Sequence, residues 1–404
     1  MGQSESKPPI SNWRLKKIRR YIAKRVPLVP KGYKLTVDET ALEGLLPEAL
    51  QANPAFKELL WNKKDLLSPE KAKQLKSVLL DQFNRAAKNI PFDSSEIENE
   101  AAITKRTLVM AGPDKMTFNH GGLERKEQIY LQWHCIRHAL VKAGAHLEII
   151  SPLDKESGYR EVYTRDRYVM IGDTAYLPDP QELQDLSYKG VHWLSEKGAK
   201  GYIGEVAQVE KALKERGVKT VTVKGAWFEG GNVVRHFSSR TIFAGIHGAW
   251  SSEDSAQRLL AAINETQAEK WKLQPVLLTN YPAMYHMDTG MSEELPNGEV
   301  MLSSLVTDKE TYQKICDIVG AENVIDLSKD EAARLATNVI DVGDTLVMTG
   351  NCKDLREKLT DKGYTVIMPD DYGQSSFEFG LGGVHCMTND LRQPRRKQKA
   401  QRGP

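Results

Sequence analysis

Four short segments of the chain contain side chains that are able to form a catalytic site. Cys386 in GLGGVHCMTND is a candidate nucleophile, and the glycines before it would let a ligand approach the sulfur closely. His286 and Asp288 in MYHMDTGM are two residues apart, so in an extended segment both lie on one side. Glu229 in WFEGGNVV and Asp166 in VYTRDRYV add two carboxylates. Together these residues supply a nucleophile, a proton carrier and groups that orient it or bind a cation.

Each of these segments, taken alone, has an ordinary structural explanation. A pair such as Arg165–Asp166 is usually a surface ion pair, and Glu-Gly-Gly usually forms a turn. A His-x-Asp sequence is more often a structural hydrogen bond, and a cysteine is commonly a small buried apolar side chain. The occurrence of all four segments in one chain favours the catalytic interpretation.

A metal site is a weaker alternative. The segment WHCIRH places His134 and His138 one helical turn apart, as some metal sites do. It lacks the glutamate of HExxH, and the apolar residues Leu131, Ile136 and Leu140 are typical of a packed helix. We therefore expect no metal ligands in this segment.

The composition excludes several classes of protein. The chain has 404 residues, 40% of them hydrophobic and 27% charged, which is typical of a globular protein with a sizeable core. A net charge of +2 argues against a nucleic-acid partner. Four scattered cysteines without a CxxC favour a reducing compartment, so we expect a cytoplasmic protein. No apolar run approaches the roughly 18 residues of a membrane span, and no early apolar segment predicts a signal peptide.

Strands and helices alternate from about residue 105 onward. Six apolar runs predict strands: RTLVMAG, AHLEIISPL, VKTVTVKG, QPVLLTN, ENVIDLS and YTVIMPD. Pairs of strands joined by tight turns are predicted in YVMIGDTAYL, NVVRHFSSRTIFAGI, LPNGEVMLSS and NVIDVGDTLVMTG. Helical patterns such as DSAQRLLAAINETQAEKWK lie between the strands. A repeated strand–hairpin–helix unit predicts an α/β fold whose modules pack around a common axis, with loops converging at one end.

The two ends of the sequence differ from the middle. Residues 1–27 are a basic leader with apolar residues at helical spacing, and MGQSES fits the pattern for myristoylation of Gly2. An acylated basic leader would allow peripheral membrane contact, whereas the alternative is a solvated leader with a chance motif. Residues 28–104 predict a helical accessory region without identifiable chemistry. Residues 391–404 are basic with almost nothing apolar to bury, which predicts a disordered tail.

The segments TRD, FEGGN, HMDT and GGVHCMT resemble the signature motifs of the pentein guanidino-group-modifying enzymes. This superfamily includes arginine deiminases, arginine dihydrolases, dimethylargininases, agmatine deiminases and amidinotransferases. The resemblance covers residues 105–390, including ATNVIDVGD at 336–344, and implies one catalytic domain. It also implies a pseudo-symmetric five-bladed α/β propeller of ββαβ modules with the site at its centre.

The resemblance implies a role for each candidate residue. Cys386 would be the nucleophile, His286 the general acid and base, and Glu229 the partner of His286. Asp166 and Asp288 would hold the guanidinium of the substrate. The predicted partner is therefore a small guanidino compound or an arginine side chain.

The chemistry of a guanidinium supports these roles independently. The group stays protonated at biological pH and presents five donors in a flat fork, so carboxylates suit its recognition. Its carbon is a poor electrophile, and a thiolate is the strongest nucleophile that the chain offers. His286 would protonate the departing nitrogen, which leaves a covalent thiouronium on Cys386. Water activated by His286 would then release a ureido product, and no metal or organic cofactor is needed.

Two residues beside the motif carboxylates, Arg165 and Asn232, are further candidates for substrate binding. Asn232 stands where the arginine-hydrolysing branches usually have Asp, although the agmatine-using branch tolerates a smaller polar residue there. This departure does not argue against catalysis.

A second departure concerns the substrate. Dimethylargininase-like relatives have an Arg-Thr-Asn stretch whose arginine holds the α-carboxylate, whereas FAGIHGAW at 243–250 has His247, Gly248 and Ala249 at this place. Arg235 and Arg240 are the candidates to replace that contact. Free arginine is therefore less secure as the substrate than the guanidino chemistry itself.

Three functions remain open from the sequence. The preferred one is a hydrolase of a guanidino group, and the first alternative is an amidinotransferase that passes the amidino group from Cys386 to an amine. The second alternative is a non-catalytic binding module, against which the complete set of catalytic side chains argues. The natural substrate and the formation of a homo-oligomer are also left open.

Overall fold

The computed structural model describes residues 106–112, 133, 135–137, 139–150, 162–188, 196–247, 251–279, 284–349, 352–368 and 382–392. The leader predicted for residues 1–27 and the helical region predicted for 28–104 lie outside these residues, as does the tail predicted for 391–404 apart from its first two residues. None of the helices in the described part of the chain combines the length and apolar character that a bilayer crossing requires.

The described residues form a mixed α/β fold with five small sheets. The strands are β1 (Thr107–Ala111), β2 (His146–Ile150), β3 (Val169–Ile171), β4 (Thr174–Pro178), β5 (Lys219–Val223), β6 (Val233–His236), β7 (Thr241–Ile246), β8 (Lys272–Leu277), β9 (Val300–Ser303), β10 (Val324–Leu327), β11 (Val339–Val342), β12 (Thr345–Met348), β13 (Thr365–Ile367) and β14 (Asn389–Asp390). The helices are α1 (Pro180–Tyr188), α2 (Glu196–Glu215), α3 (Glu253–Thr266), α4 (Lys309–Val319), α5 (Lys329–Ala333) and α6 (Lys353–Asp361). Described residues between 133 and 143 are also helical.

One connection pattern recurs in these sheets. Two antiparallel strands form a hairpin, helix follows, and a third strand pairs parallel to the second: β3–β4–β5, β6–β7–β8 and β11–β12–β13. In the fourth sheet, β9 and β10 pair in parallel and α4 connects them. The first strand of the pattern is reduced here to a single antiparallel bridge between Met291 and Leu302. In the remaining sheet, β1 pairs parallel to β2 and antiparallel to β14, which comes from the opposite end of the described chain. The predicted alternation and all six predicted strands are confirmed.

Local sequence explains the hairpins and helix starts. Gly172 and Gly343 occupy the turns of β3–β4 and β11–β12 with φ of 59° and 61°, a conformation that glycine adopts at little cost. Ser252 caps α3 by accepting a hydrogen bond from the Ser255 N–H. The apolar residues of α3, such as Leu259 and Ile263, are buried at helical spacing against the sheet of β6 to β8.

Six buried charged side chains meet between the sheets, and we call them the central ion cluster. The Arg106 guanidinium binds Asp390 through two contacts of 2.6 and 2.9 Å and Asp341 through one of 2.6 Å. Arg235 binds Glu293 at 2.6 and 2.7 Å and Asp390 at 2.7 Å.

The sixth member of the central ion cluster is Arg165, whose Nη1 lies 3.6 Å from Glu293 Oε1. Each of the five sheets, or the loop that enters it, thus contributes at least one charge to the cluster. The cluster therefore lies where all five sheets meet.

Asp390→Asn should destabilise the fold strongly. Asp390 is fully buried and bridges Arg106 and Arg235, so its neutral replacement leaves the three buried arginines of the cluster with two carboxylates, those of Asp341 and Glu293. We expect a loss of roughly 3–5 kcal/mol in the free energy of unfolding, measured by urea denaturation. Glu269→Gln, which removes a pair between Arg240 and the exposed Glu269, is the control and should leave stability unchanged. Equal stabilities of the two variants would contradict the prediction.

Candidate active site

Equivalent loops of the repeated unit supply the candidate site residues. One turn of 3₁₀ helix precedes β3 (Thr164–Arg167), another precedes β6 (Gly230–Asn232), and a third precedes the Met291 bridge (Met287–Thr289). The turn that carries Cys386 likewise precedes β14. Because these segments occupy the same place in their units, they converge at one end of the sheets. The structure thereby brings Asp166, Glu229, His286, Asp288 and Cys386 together, as the sequence analysis predicted.

The glycines of FEGGN permit this convergence. A Cβ atom on Gly231 would lie 2.6 Å from His286 Nδ1 and 2.8 Å from Asp166 Oδ1. A Cβ atom on Gly230 would collide with the backbone carbonyls of Arg165 and Tyr168. The glycines therefore let the neighbouring catalytic loops approach the backbone closely.

The glycines before Cys386 have a different use from the expected one. A Cβ atom on Gly382 would collide with the ring of Tyr163, and one on Gly383 would lie 2.5 Å from Thr349 Oγ1 and 2.6 Å from Asn338 Oδ1. These neighbours are protein groups that hold the loop in place. The expectation that the glycines leave room for a ligand is therefore wrong for Gly382 and Gly383.

His286 lies between two carboxylates. Its Nε2 is 2.6 Å from Glu229 Oε2 and its Nδ1 is 3.6 Å from Asp166 Oδ1, and all three residues are buried. Burial alone would lower the pKa of His286, but the charges of Asp166 and Glu229 outweigh it and raise this pKa to about 9. Burial raises the pKa of Asp166 to about 6, with Glu229 adding to the effect and His286 opposing it. At neutral pH the site therefore holds an imidazolium that is able to donate a proton.

Cys386 is held as a thiol next to Asp288. Its Sγ–H donates to Asp288 Oδ2 over 3.4 Å, and His385 Nδ1–H donates to the same oxygen over 2.8 Å. Burial raises the pKa of Cys386 well above its usual value, and the charges of Asp288 and Asp166 raise it further. Burial would also raise the pKa of Asp288, but the hydrogen bond and charge of His385 lower it below its ordinary value. Without substrate, the ionised carboxylate of Asp288 is therefore able to bind a cation next to the neutral thiol of Cys386.

The sequence analysis missed two residues of the site. His385 binds Asp288, and Asn338 contacts Cys386 through its side-chain amide at 2.9 Å. Asn338 directly precedes β11, the position from which other units also supply site residues. Aligning ATNVIDVGD with the other repeats would therefore have pointed to Asn338.

Arg165 and Asn232, the two further candidates for substrate binding, lie in different surroundings. Arg165 Nε donates to the carbonyl of His385 over 3.4 Å, and its Nη2 has no hydrogen-bond partner among the described residues. Asn232 is fully buried, and within the same described residues neither its amide oxygen nor its nitrogen has a partner. The unpaired amide atoms are suited to a ligand, and substrate contact by both residues stays a prediction.

The two arginines considered for a substrate carboxylate are held elsewhere. Arg235 belongs to the central ion cluster, and Arg240 pairs with Glu269 at the surface. His247 lies near the site, where burial and the charge of His286 lower its pKa. Arg235 and Arg240 therefore do not provide an α-carboxylate contact.

A metal ion is not required to explain the arrangement of the titratable groups. Asp166, Glu229 and His286 offer one ligand atom each within 4.8 Å of one another. The 2.6 Å between His286 and Glu229 is a hydrogen-bond distance, so a metal would have to displace a shared proton. His134 and His138, the metal alternative considered from the sequence, lie outside the described residues.

Comparisons with known proteins give structural matches alone. No protein-family model and no curated protein sequence matches the chain. The N-terminal domain of ArgZ bound to its product, an arginine dihydrolase from the ornithine–ammonia cycle in Cyanobacteria, is 18% identical with a TM-score of 0.57, and the match covers 72% of this chain and 99% of that one. AgrE in complex with ornithine and NAD⁺ is 20% identical with a TM-score of 0.57, and the match covers 72% of this chain and 40% of AgrE.

A third match is DDAH from Pseudomonas aeruginosa, a cysteine-to-serine mutant in complex with citrulline. It is 18% identical with a TM-score of 0.52, and the match covers 71% of this chain and 99% of DDAH. All three matched proteins are pentein superfamily members. The chain has a mixed α/β fold with small sheets, and this fold is similar to that of the three pentein structures.

Proposed function

We propose that the chain is a cysteine-dependent hydrolase of an arginine-like guanidino substrate. The observation that carries this proposal is the buried assembly of Cys386, the His286–Glu229 pair and the carboxylates of Asp166 and Asp288. The reaction would pass through a covalent thiouronium on Cys386 and release a ureido product of the citrulline type.

The charges of the site favour a cationic ligand. The carboxylates of Asp166, Glu229 and Asp288 lie close to the imidazolium of His286 and to the thiol of Cys386. Asp288 Oδ1 has no hydrogen-bond partner among the described residues, although it is buried. A guanidinium supplies a positive charge for these carboxylates and several N–H donors in one plane.

The proposed steps follow from the contacts. Binding of the cation to Asp288 and Asp166 offsets the negative charges that raise the pKa of Cys386, so the thiol releases its proton to solvent as the complex forms. The sulfur electron pair forms a C–S bond to the guanidinium carbon. The C–N bond then breaks, and the departing nitrogen takes a proton from His286 and leaves as ammonia.

Hydrolysis of the covalent thiouronium completes the cycle. Neutral His286 accepts a proton from water as the oxygen bonds to the same carbon. The C–S bond then breaks and its electron pair stays on the sulfur. The hydroxyl proton of the adduct passes to that sulfur, which restores the thiol and releases the ureido product. Glu229 holds the imidazole through its hydrogen bond to Nε2 and stabilises the imidazolium in both halves of the reaction.

The matched structures support this chemistry by analogy. One is an ArgZ variant covalently bound to a reaction intermediate, and another is a cysteine-to-serine mutant of ArgZ bound to substrate. The matched DDAH is also a cysteine-to-serine mutant, bound to citrulline. These proteins share the fold of the chain, so its cysteine site lies on a scaffold suited to the proposed reaction.

A substrate panel tests the proposal. Arginine, methylated arginines, agmatine, arginine peptides and guanidino acids are each incubated with the protein, and ammonia and ureido products are measured. A ureido product is expected together with an equal amount of ammonia, or of methylamine or dimethylamine where a methylated arginine is the substrate. Transfer of the amidino group to added glycine or another amine would identify an amidinotransferase instead. No turnover together with an unreactive Cys386 would favour a binding module.

The decrease of kcat/KM at low pH should reflect the protonation of Asp166. This carboxylate must be ionised to hold the guanidinium, and its raised pKa of about 6 means that it gains a proton as the pH falls through that value. We expect kcat/KM to decrease below an apparent pKa of about 6. Initial rates from about pH 5 to about pH 8 measure it, and a profile that stays flat down to about pH 5 would contradict the assignment.

We further propose that the five sheets are the blades of a pseudo-symmetric propeller. Support comes from the recurring connection pattern and from the central ion cluster, to which all five sheets contribute. Pairing of β1 with β14 would close such a ring. Peripheral membrane contact through residues 1–27 and formation of a homo-oligomer stay predictions.

A further inference from the structure

Asn338 makes three hydrogen bonds to the segment that carries the nucleophile. Its Nδ2–H donates to Cys386 Sγ over 2.9 Å. Its Oδ1 accepts from the backbone N–H groups of His385 at 2.8 Å and Cys386 at 3.2 Å. Asn338 is fully buried and lies 48 residues before Cys386, in the loop that enters another sheet.

These contacts fix which end of the amide faces the sulfur. Both backbone N–H groups need an acceptor, so they take Oδ1 and leave the Nδ2 donor directed at Sγ. The backbone of Asn338 is itself held, since its N–H donates to the carbonyl of Leu335 at 2.9 Å and Leu335 has a φ of 56°. A left-handed conformation at a leucine is costly, which indicates that the surrounding structure specifies this turn.

The preceding residue, Thr337, ties the same turn to the substrate-binding carboxylate. Its hydroxyl donates to the carbonyl of Asp288 over 2.9 Å. Thr337 and Asn338 together therefore set the spacing between Asp288 and Cys386.

The two carboxylates near the sulfur, those of Asp288 and Asp166, disfavour the thiolate form of Cys386. Asp288 and Asp166 raise the pKa of Cys386 after the effect of burial, whereas the hydrogen bond from Asn338 lowers it. The pKa of Tyr285 is raised by burial and then by the charge of Cys386, so this phenol also does not favour a thiolate. When the thiol loses its proton, Asn338 already points a donor at the new negative charge.

We propose that Asn338 is a catalytic residue that donates a hydrogen bond to the Cys386 thiolate. The donor acts when the thiolate forms, and again when the C–S bond of the intermediate breaks and the electron pair returns to the sulfur. This inference rests on the proposed function in so far as Cys386 is the nucleophile. The proposed catalytic groups would then include the neutral amide of Asn338 in addition to the thiol, the imidazole and the carboxylates.

The test is the alkylation of Cys386 by iodoacetamide as a function of pH, read by mass spectrometry in the absence of substrate. Asn338→Asp keeps an acceptor for the two backbone N–H groups and replaces the donor at the sulfur with a carboxylate oxygen. A hydrogen bond to a charged group contributes on the order of 1.5–3 kcal/mol, so the thiol pKa should rise by about one unit or more and alkylation at neutral pH should slow about tenfold or more. Asn338→Ser, too short to reach the sulfur, is the second variant and should also slow alkylation.

Thr349→Val is the matched control. Thr349 Oγ1 accepts from the Val384 N–H at 2.7 Å, so its loss loosens the same loop without removing a contact to the sulfur. Alkylation should be unchanged in this variant. An equal slowing in Thr349→Val and Asn338→Asp, or wild-type rates in both Asn338 variants, would overturn the inference.

The outcome separates this inference from the proposed function. Because alkylation needs no substrate, a dependence on Asn338 would stand even if no guanidino compound were turned over. Conversely, turnover of a guanidino compound at the wild-type kcat by a folded Asn338→Asp variant would remove Asn338 from catalysis and leave the proposed function intact.

Discussion

We expect His286→Gln to lower kcat by about two to four orders of magnitude, the usual contribution of a general acid and base. A glutamine amide has no proton to give the departing nitrogen and does not accept one from water. It does keep an N–H donor for Glu229, which lies 2.6 Å from His286 Nε2. Initial rates on the best substrate of the panel and the thermal unfolding midpoint together measure the effect.

Glutamine is a better substitution than alanine because His286 is buried between Glu229 and Asp166. His286→Ala would leave both carboxylates without their counter-charge and reduce stability as well as activity. His146→Gln, at a half-buried histidine in β2, is the control for the substitution itself. Turnover by His286→Gln at the rate of the control would remove His286 from the mechanism.

An amidinium reagent should label Cys386 ahead of the other three cysteines. All four cysteines are buried, and Cys316 at 7% is more exposed than Cys386 at 3%, so accessibility alone favours Cys316. Chloroacetamidine carries a positive charge that Asp288 and Asp166 attract, and this charge offsets the effect that raises the pKa of the Cys386 thiol. The neutral iodoacetamide gains neither advantage and should react slowly at neutral pH.

The size of this preference follows from the charge-assisted contacts. Asp288→Asn should reduce the ratio of chloroacetamidine to iodoacetamide rates by roughly tenfold or more, since a hydrogen bond to a charged group is replaced by a neutral one. Asp317→Asn, on the surface of α4, is the matched control and should leave the ratio unchanged. Mass spectrometry after brief exposure identifies the labelled residue. First labelling of Cys135, Cys316 or Cys352, or an equal rate for the two reagents, would contradict the guanidino proposal.

The sequence was sufficient to predict the strands, because the residues that specify each strand lie close together in the chain. The six apolar runs became strands because their pattern and flanking turns lie within a few residues of one another. The turn in LPNGEVMLSS was predicted as a full hairpin, but only the Met291–Leu302 bridge pairs antiparallel there. The motif residues converged because each occupies the loop that enters its unit. Periodicity therefore predicts elements and loop equivalence.

Contacts between segments that are distant in the chain could not be predicted from the sequence. Asn338 meets Cys386 across 48 residues, and the glycines beside Cys386 are explained by Asn338 and Thr349 rather than by a ligand. Arg235 has the charge to bind a substrate carboxylate, yet its partners are Glu293 and Asp390. Nothing within a short window distinguishes an arginine in an internal ion pair from one in a binding site, because both depend on which segments lie opposite.

The pairing of β1 with β14 has a consequence for how the protein is made. The Arg106–Asp390 contact joins residues 284 apart, so during translation the edge of β1 that faces β14 stays unpaired until the residues as far as Asp390 have been synthesised. Cys386 lies three residues before β14 and is delivered by the same late segment. A nascent chain therefore has an open sheet edge and no nucleophile at the same time. The same segment therefore supplies both the strand that covers this edge of β1 and the reactive cysteine.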